Sequence, residues 1–281
     1  MDMDTFANKK IAIIGSGHMA RALVEGLAKS GKERVSRIVV SNLSGSGLEA
    51  LQGEFGVQTK TDNTDATRTA DWIFIAVKPL TVKSVIEEIA EVTQGKLVIS
   101  LAAGVTMELL KRYVGINGQR YIRIMPNIPI GCNTGVIGLY ADIRVPRPET
   151  TAVCSFLRGL GKVIEVQDEK DLDTITLVAG CGPAIVAHCI EMISRYGVLS
   201  GLSEEMSRDI ALQTFQGTIA YLGKAGLTPR VLEQSVATRG GVTEEILNSM
   251  NRLGVDILFH QSLDAGYAKI KALQEKLYGN V

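Results

Sequence analysis

Ile11-Ala12-Ile13-Ile14-Gly15-Ser16-Gly17-His18-Met19-Ala20 is the stretch whose reading decides how this chain folds. An apolar run enters a glycine turn, and Leu23 and Leu27 then follow at helical spacing, the pattern of a strand, a tight turn and a helix. Each small residue has a task. Gly15 permits the turn, Gly17 lets a pyrophosphate approach the backbone, and Ala20 lets helix and strand pack closely. Phosphates would sit over the unpaired N–H groups at the positive end of the helix, and Ser16, His18 and Met19 lie in that turn and first helical residues. His18 alone carries little weight, because a histidine at a helix start is more often a solvent or capping residue than a catalyst. The next expected strand, Arg37–Val40, runs into Ser41-Asn42-Leu43-Ser44, where a dinucleotide-binding strand usually ends in Asp or Glu for the ribose hydroxyls. With no acid there, nothing repels a 2′-phosphate. NADP is the expected cofactor.

Composition sets the frame. The chain has 281 residues, 46% of them hydrophobic and 21% charged, which is an ordinary soluble globular balance with ample core. Thirty basic and thirty acidic residues give zero formal charge, so no electrostatic footprint for nucleic acid or an anionic membrane is expected. The opening Met1-Asp2-Met3-Asp4 is acidic and does not read as a secretory signal. The four cysteines, Cys132, Cys154, Cys181 and Cys189, lack C-x-x-C spacing and only three histidines are present, so neither a metal site nor a disulfide framework is expected. A cytoplasmic location follows. The stretch Ile175–Ile190 has no charged residue apart from a protonatable His188, but it is short for a membrane span and is interrupted by Gly180, Gly182 and Pro183. A helix apolar on nearly all faces is buried in a core or between subunits, and the subunit interface is favoured.

Strand-like runs at Lys10–Ile14, Arg37–Val40, Trp72–Val77, Leu97–Ser100, Tyr121–Met125 and Gly135–Leu139 are mostly separated by helical patterns, including Thr81–Ala90 and Thr106–Arg112. That alternation predicts an α/β fold with a doubly wound, mainly parallel sheet of the Rossmann type. A helix from about Pro148 to Leu160 leads to a last strand at Lys162–Val166. Beyond the polar run Gln167–Asp171 the pattern changes to helices alone: Leu172–Leu199, Ser203–Leu222 capped by Ser203, and Thr243 to near Tyr278. The expected domains are a dinucleotide-binding domain over 1–167 and a helical dimerisation and substrate-binding domain over 168–281. The Ser44–Gly47 patch reads as a loop around a ribose phosphate.

Gly240-Gly241 followed by Val242-Thr243-Glu244-Glu245 looks like a flexible loop entering a helix, a start that offers backbone donors to a small anion. An ordinary capped helix explains the same residues equally well. Five segments taken together are more telling: Gly15–Ala20; Ala76-Val77-Lys78-Pro79; Ser100-Leu101-Ala102-Ala103-Gly104-Val105; Arg123-Ile124-Met125-Pro126-Asn127-Ile128-Pro129; and Val236-Ala237-Thr238-Arg239-Gly240-Gly241-Val242-Thr243. In order and spacing, over nearly the whole chain, they resemble the pyrroline-5-carboxylate reductase family. The resemblance implies reduction of a cyclic imino acid by hydride transfer from NADPH. It places Thr243 as the catalytic hydrogen-bond donor to the imine nitrogen, and Thr238, Gly240, Gly241 and Val242 around the substrate carboxylate, with Arg239 beside them. Gly15, Gly17, Met19 and Ala20 fall on pyrophosphate, and Ser41, Asn42 and Ser44 on the 2′-phosphoribose. Ala76, Val77, Lys78 and Pro79 line the adenosine side. Ala102, Ala103, Gly104, Met125, Pro126 and Asn127 flank the nicotinamide. It also implies interleaved helical domains, so that a homodimer, or a higher oligomer of dimers, completes each site.

The chain departs from the family pattern in places. Cys181 stands in a segment where serine is common, and Arg239 stands where the loop usually has proline. Leu43 replaces an arginine expected to clamp the 2′-phosphate, which leaves NADH use open, and with it a related ring substrate. A β-hydroxyacid dehydrogenase would place a catalytic lysine on a central helix, but no lysine occurs between Lys170 and Lys224. A non-catalytic nucleotide-binding homologue is the remaining alternative, against which the retained Thr243 and both loop glycines speak.

Overall fold

The computed structural model describes residues 9–29, 31, 35–114 and 118–279; the acidic start Met1–Asp4 lies outside them. Strand β1 (Ile11–Ile14) is buried on both faces. Ile11 and Ile13 enter one hydrophobic cluster and Ala12 and Ile14 the other, so the period-two alternation of a strand feeds two cores at once. Helix α1 (His18–Lys29) follows, then β2 (Ile38–Ser41), α2 (Leu48–Phe55), β3 (Gln58–Lys60), α3 (Asn63–Arg68) and β4 (Trp72–Ile75). Next come α4 (Val82–Ile89), β5 (Leu97–Ser100), α5 (Met107–Val114), β6 (Arg120–Pro126), β7 (Gly135–Ala141), α6 (Arg147–Leu157) and β8 (Gly161–Glu165).

These strands form one eight-stranded sheet in the order β3-β2-β1-β4-β5-β6-β7-β8. The pairs are parallel except β6 with β7, which is antiparallel. The chain winds outward from β1 in both directions, and this reversal creates the switch point where doubly wound sheets bind their ligands. The expected Rossmann-type sheet is therefore what the chain builds.

Several boundaries differ from expectation for physical reasons. The strand expected over Trp72–Val77 ends at Ile75, because Ala76 turns away after its N–H bonds the Ile14 carbonyl. β3 escapes sequence reading because Gln58-Thr59-Lys60 is polar: it is a short edge strand, half solvated. The helix expected over Leu172–Leu199 is divided. A short α7 (Asp171–Ile175) passes into a π-helical turn at Thr176–Gly180, and α8 (Gly182–Leu199) starts afresh. The helix expected from Thr243 to Tyr278 breaks at Leu253-Gly254, where Gly254 takes φ +69°, into α11 (Val242–Arg252) and α12 (Val255–Tyr278). Helix α9 (Glu204–Ala225) has the expected Ser203 cap, whose Oγ accepts the Met206 N–H at 3.2 Å, and α10 (Pro229–Val236) is capped by Thr228.

The chain divides into two compact units, one of residues 1–183 with 267–281 and one of residues 184–266. In the first unit the end of α12 returns to the sheet layer, where Leu277 is buried in the same cluster as Tyr113 and Leu109. In the second, helices α8 to α11 leave Ile193, Tyr196, Ile210, Ile219 and Ile246 largely exposed on the single chain.

Gly26 on α1 illustrates how tightly the first unit is packed. A Cβ there would lie 2.3 Å from the Ile130 carbonyl oxygen and 2.7 Å from Leu160 Cδ2. Gly26→Ala gains about 1 kcal/mol of helix propensity, but overpacking of this kind costs ~1–3 kcal/mol, and a backbone carbonyl has little room to yield. The variant is expected to unfold at lower urea concentration than the parent; an equal or higher midpoint would show that α1 can lift from the 128–132 turn.

Candidate functional site: the carboxyl edge of the sheet and the Thr238–Thr243 loop

The parallel strands β1, β2, β4, β5 and β6 end on one edge of the sheet, and the cofactor candidates of the sequence lie there. Gly15 holds φ +112° and its N–H bonds the Ser41 carbonyl at 2.8 Å. A Cβ on Gly15 would stand 2.4 Å from the Ala76 carbonyl oxygen, so only glycine closes this corner. Gly17 is different: a Cβ there would meet nothing within 4 Å. Packing does not demand a glycine at 17. The open space lies at the start of α1, whose first N–H groups have no acceptor within the helix. Ala20 is fully buried against the sheet, Met19 is half buried, and His18 is exposed.

The Ser41–Gly47 loop closes over this turn. Asn42 Nδ2 donates to Ser16 Oγ at 2.5 Å and to the Ser46 carbonyl at 3.1 Å, and Ser16 Oγ donates to that carbonyl at 2.5 Å. Asn42 Oδ1 accepts from the Ser44 N–H and Oγ, both at 3.2 Å, in an Asx turn. Asn42 thus ties the glycine turn to the loop, with Ser44 exposed at its tip. Ser41 is placed otherwise. It is fully buried and its Oγ donates to Asn63 Oδ1 at 2.8 Å, so its hydroxyl faces the interior. Leu43 is 61% exposed and adds no charge at this rim.

On the other side of β1, Ala76 and Val77 are half buried and Lys78 is exposed ahead of a 3-10 turn at Pro79–Thr81. Beyond β5, Ala102 and Gly104 are buried and Ala103 is partly open. Met125, Pro126 and Asn127 close β6, all buried. Asn127 is a strut: its Nδ2 donates to the Ala179 carbonyl at 3.0 Å and its Oδ1 accepts the Val136 N–H at 2.8 Å. The structure thereby ties the end of β6 to the π-helical turn.

Sequence reading missed Glu169. Its Oε1 accepts both the Met107 N–H at 2.6 Å, capping α5, and Arg123 Nη1 at 2.5 Å. One carboxylate thus clamps the segment after Ala102–Gly104 to the strand that ends in Met125–Asn127. The signal for it was Arg123, a charge in the apolar run Tyr121–Met125 that has to find a partner if the strand is central.

The anion-loop candidates belong to the second unit. Gly241 is the N-cap of α11, and its N–H bonds the Thr238 carbonyl at 2.9 Å. The Gly240 N–H bonds Glu244 Oε2 at 2.7 Å, so a carboxylate of the chain itself already sits on this loop. Thr243 is half exposed on the first turn beside exposed Val242. Arg239 is exposed and makes no ion pair among the described residues.

Residues 10–104 match the family model described as NADP oxidoreductase coenzyme F420-dependent, and residues 169–273 match that described as pyrroline-5-carboxylate reductase dimerisation. The chain is 31% identical to the pyrroline-5-carboxylate reductase of Escherichia coli over 270 residues, 96% of this chain and 98% of that protein. The chain belongs to the pyrroline-5-carboxylate reductase family. Among solved structures, the pyrroline-5-carboxylate reductase of Coxiella burnetii superposes with a TM-score of 0.85 at 32% identity, covering 94% of this chain and 98% of that one. The Plasmodium falciparum pyrroline carboxylate reductase, solved with NADP bound, gives 0.87 at 27% identity over 95% and 99%. For this member of the family, the Glu169 clamp carries a stability test. Arg123 has a side chain only 2% exposed, and removing one partner of a buried pair costs ~3–5 kcal/mol. Glu169→Ala is expected to lose about 3 kcal/mol in chemical denaturation, and Glu169→Gln, which keeps an acceptor, distinctly less; equal losses would assign the effect to packing rather than charge.

Proposed function

We propose that this chain reduces 1-pyrroline-5-carboxylate to L-proline with NADPH, and that it does so as a homodimer or an oligomer of dimers in the cytoplasm. The observation that carries the reading is the pairing, in one family member, of a glycine turn left open at Gly17 with a helix start at Gly241–Thr243. The residues at the first of these fit a dinucleotide. Gly17 leaves room where a pyrophosphate needs it, α1 presents unpaired N–H groups, and the 41–47 loop has no carboxylate to repel a 2′-phosphate. Ser44, Asn42 and the loop backbone are proposed to hold the phosphoribose, while Ser41 supports them from below through Asn63. NADPH supplies a hydride when bound; NADH is expected to serve less well.

The remaining chemistry is positioning. The imine nitrogen of a pyrroline can arrive protonated, so addition at the imine carbon neutralises an iminium and the ring nitrogen keeps its proton. Thr243 Oγ is proposed to orient that nitrogen through a hydrogen bond. The first-turn N–H groups of α11, with Thr238, Gly240 and Gly241, are proposed to hold the carboxylate, for which Glu244 must release the Gly240 N–H and the Thr238 carbonyl the Gly241 N–H. Arg239 stands ready at the rim to pair with the same carboxylate. Homo-oligomerisation explains the second unit. The helical run Asp171–Leu199, made of α7, the π-helical turn and α8, is long and apolar enough to cross a membrane, but its π-turn and the exposed apolar residues of α9 and α11 favour a second copy as its cover.

Two substitutions separate the roles. Gly17→Ala, which meets no protein atom, is expected to leave the melting temperature within a degree or two while weakening NADPH binding at least tenfold by fluorescence titration. Thr243→Val is expected to lower kcat ten- to a hundredfold with NADPH affinity unchanged. A purified chain that binds NADPH yet never oxidises it in the presence of pyrroline-5-carboxylate or a ring homologue would end the catalytic reading. Light scattering tests the assembly: Ile193→Asp is expected to yield monomers of reduced activity, and an unchanged mass would place the interface elsewhere.

A further inference from the structure

A cavity of about 250 Å³, lined by polar and charged residues, lies in the first unit, between the Arg123 face of β6, the start of α5 and the last turns of α12. Its acids are all engaged by the chain. Glu169 takes the Met107 N–H and Arg123. Asp173 Oδ2 takes Lys271 Nζ and Gln274 Nε2, each at 3.0 Å. Glu108 takes Arg112 and the Tyr278 hydroxyl. Its cations are not all engaged. Lys271 is held by Asp173, but Lys170 makes no side-chain bond among the described residues.

Arg123 is the decisive group. A guanidinium carries five N–H donors in a planar fork. The side chain is 2% exposed, yet its single side-chain bond among the described residues is Nη1 to Glu169. None of its nitrogens is among the sealed polar atoms that lack a partner, so the unfilled edge opens on the cavity it lines. Burying a guanidinium with most of its donors unfilled is costly unless an acceptor arrives. Three acids and three cations line the cavity, and the donors left unfilled among them are one planar guanidinium edge and one unpaired ammonium.

We propose that this cavity binds a small carboxylate, taken by the free edge of Arg123 and by Lys170, with residues that belong neither to the glycine turn nor to the Thr238–Thr243 loop. A carboxylate matches the flat edge of a guanidinium with two parallel bonds, and the volume admits a molecule no larger than an amino acid.

The test uses the full chain saturated with NADPH and titrates acetate, succinate and inorganic phosphate at constant ionic strength by calorimetry. Acetate and succinate are expected to bind the parent. Lys170→Gln, an exposed position outside the proposed catalytic groups, should weaken them at least fivefold while leaving kcat and KM without added carboxylate unchanged. Arg123→Lys should abolish the binding where it folds. No measurable carboxylate binding, or equal affinity in Lys170→Gln and the parent, would overturn the proposal. Binding of phosphate but not of acetate or succinate would overturn the carboxylate assignment. A loss of the proposed reductase activity in Thr243→Val with this binding intact would leave the present site standing by itself.

Discussion

The corner at Gly15 is the constraint on which the first unit depends. There β1 ends between β2 and β4, with the Gly15 N–H on the Ser41 carbonyl and its α-carbon against the Ala76 carbonyl. A side chain at this point would separate β1 from β4, and the register Ile14 opposite Ile75 and Ser41 would go with it. The same missing side chain sets where α1 begins. Because the turn is so tight, the first N–H groups of α1 stand over the strand ends instead of being covered by a longer loop, and anion-binding capacity follows from a packing requirement. Gly17 then adds the open approach. Structure demands the first glycine and leaves the second to chemistry.

This distinction marks what was legible in the sequence. Position 15 and position 17 look alike as letters, and only the distances around them separate a residue that holds the fold from one that leaves room. The sheet itself was readable, because isoleucine and valine runs such as Ile11–Ile14 and Leu97–Ser100 are buried on both faces and carry no competing helical period. β3 was not readable, since an edge strand gains its pairing from a neighbour rather than from its own apolar residues. The break at Gly254 was hidden for another reason: apolar spacing continues on both sides of it, and a single left-handed residue redirects the axis without disturbing the pattern. At the candidate site, backbone-defined elements such as the glycine turn were legible. Side-chain commitments were not, and Ser41 looks inward while Asn42 and Glu169 organise the loops.

The second unit obeys a different balance. Among the described residues of α8, α10 and α11 none is buried on the single chain, although Ile193, Tyr196 and Ile246 are large and apolar. The all-round apolar character of the α8 sequence implied burial, and within one chain that burial is missing. A homo-oligomer resolves the conflict, since surface of this kind is stable in water only when another surface covers it. The chain matches a dimerisation model over 169–273, and its helical unit leaves large apolar faces open to association while the sheet unit buries its own in two clusters.

The distribution of charge fits a reaction that asks for little proton chemistry. Burial pushes the hydroxyl of Tyr121 and the thiol of Cys154 up, and lowers the ammonium of Lys96. None of these groups belongs to the candidate site. Tyr121 and Cys154 lie in the packed layers of the sheet unit, and Lys96 Nζ bonds the Thr67 and Arg68 carbonyls at 2.6 Å. Enzymes that abstract or deliver protons concentrate such perturbed groups where the substrate sits. A protonated imine needs neither an abstracting base nor a strong acid, only a fixed orientation and a partner for its nitrogen. Two buried charges, Arg123 held by Glu169 and Asp173 held by Lys271, hold strand, helix start and C-terminal helix together. Polar architecture here maintains geometry, and geometry is what hydride transfer requires.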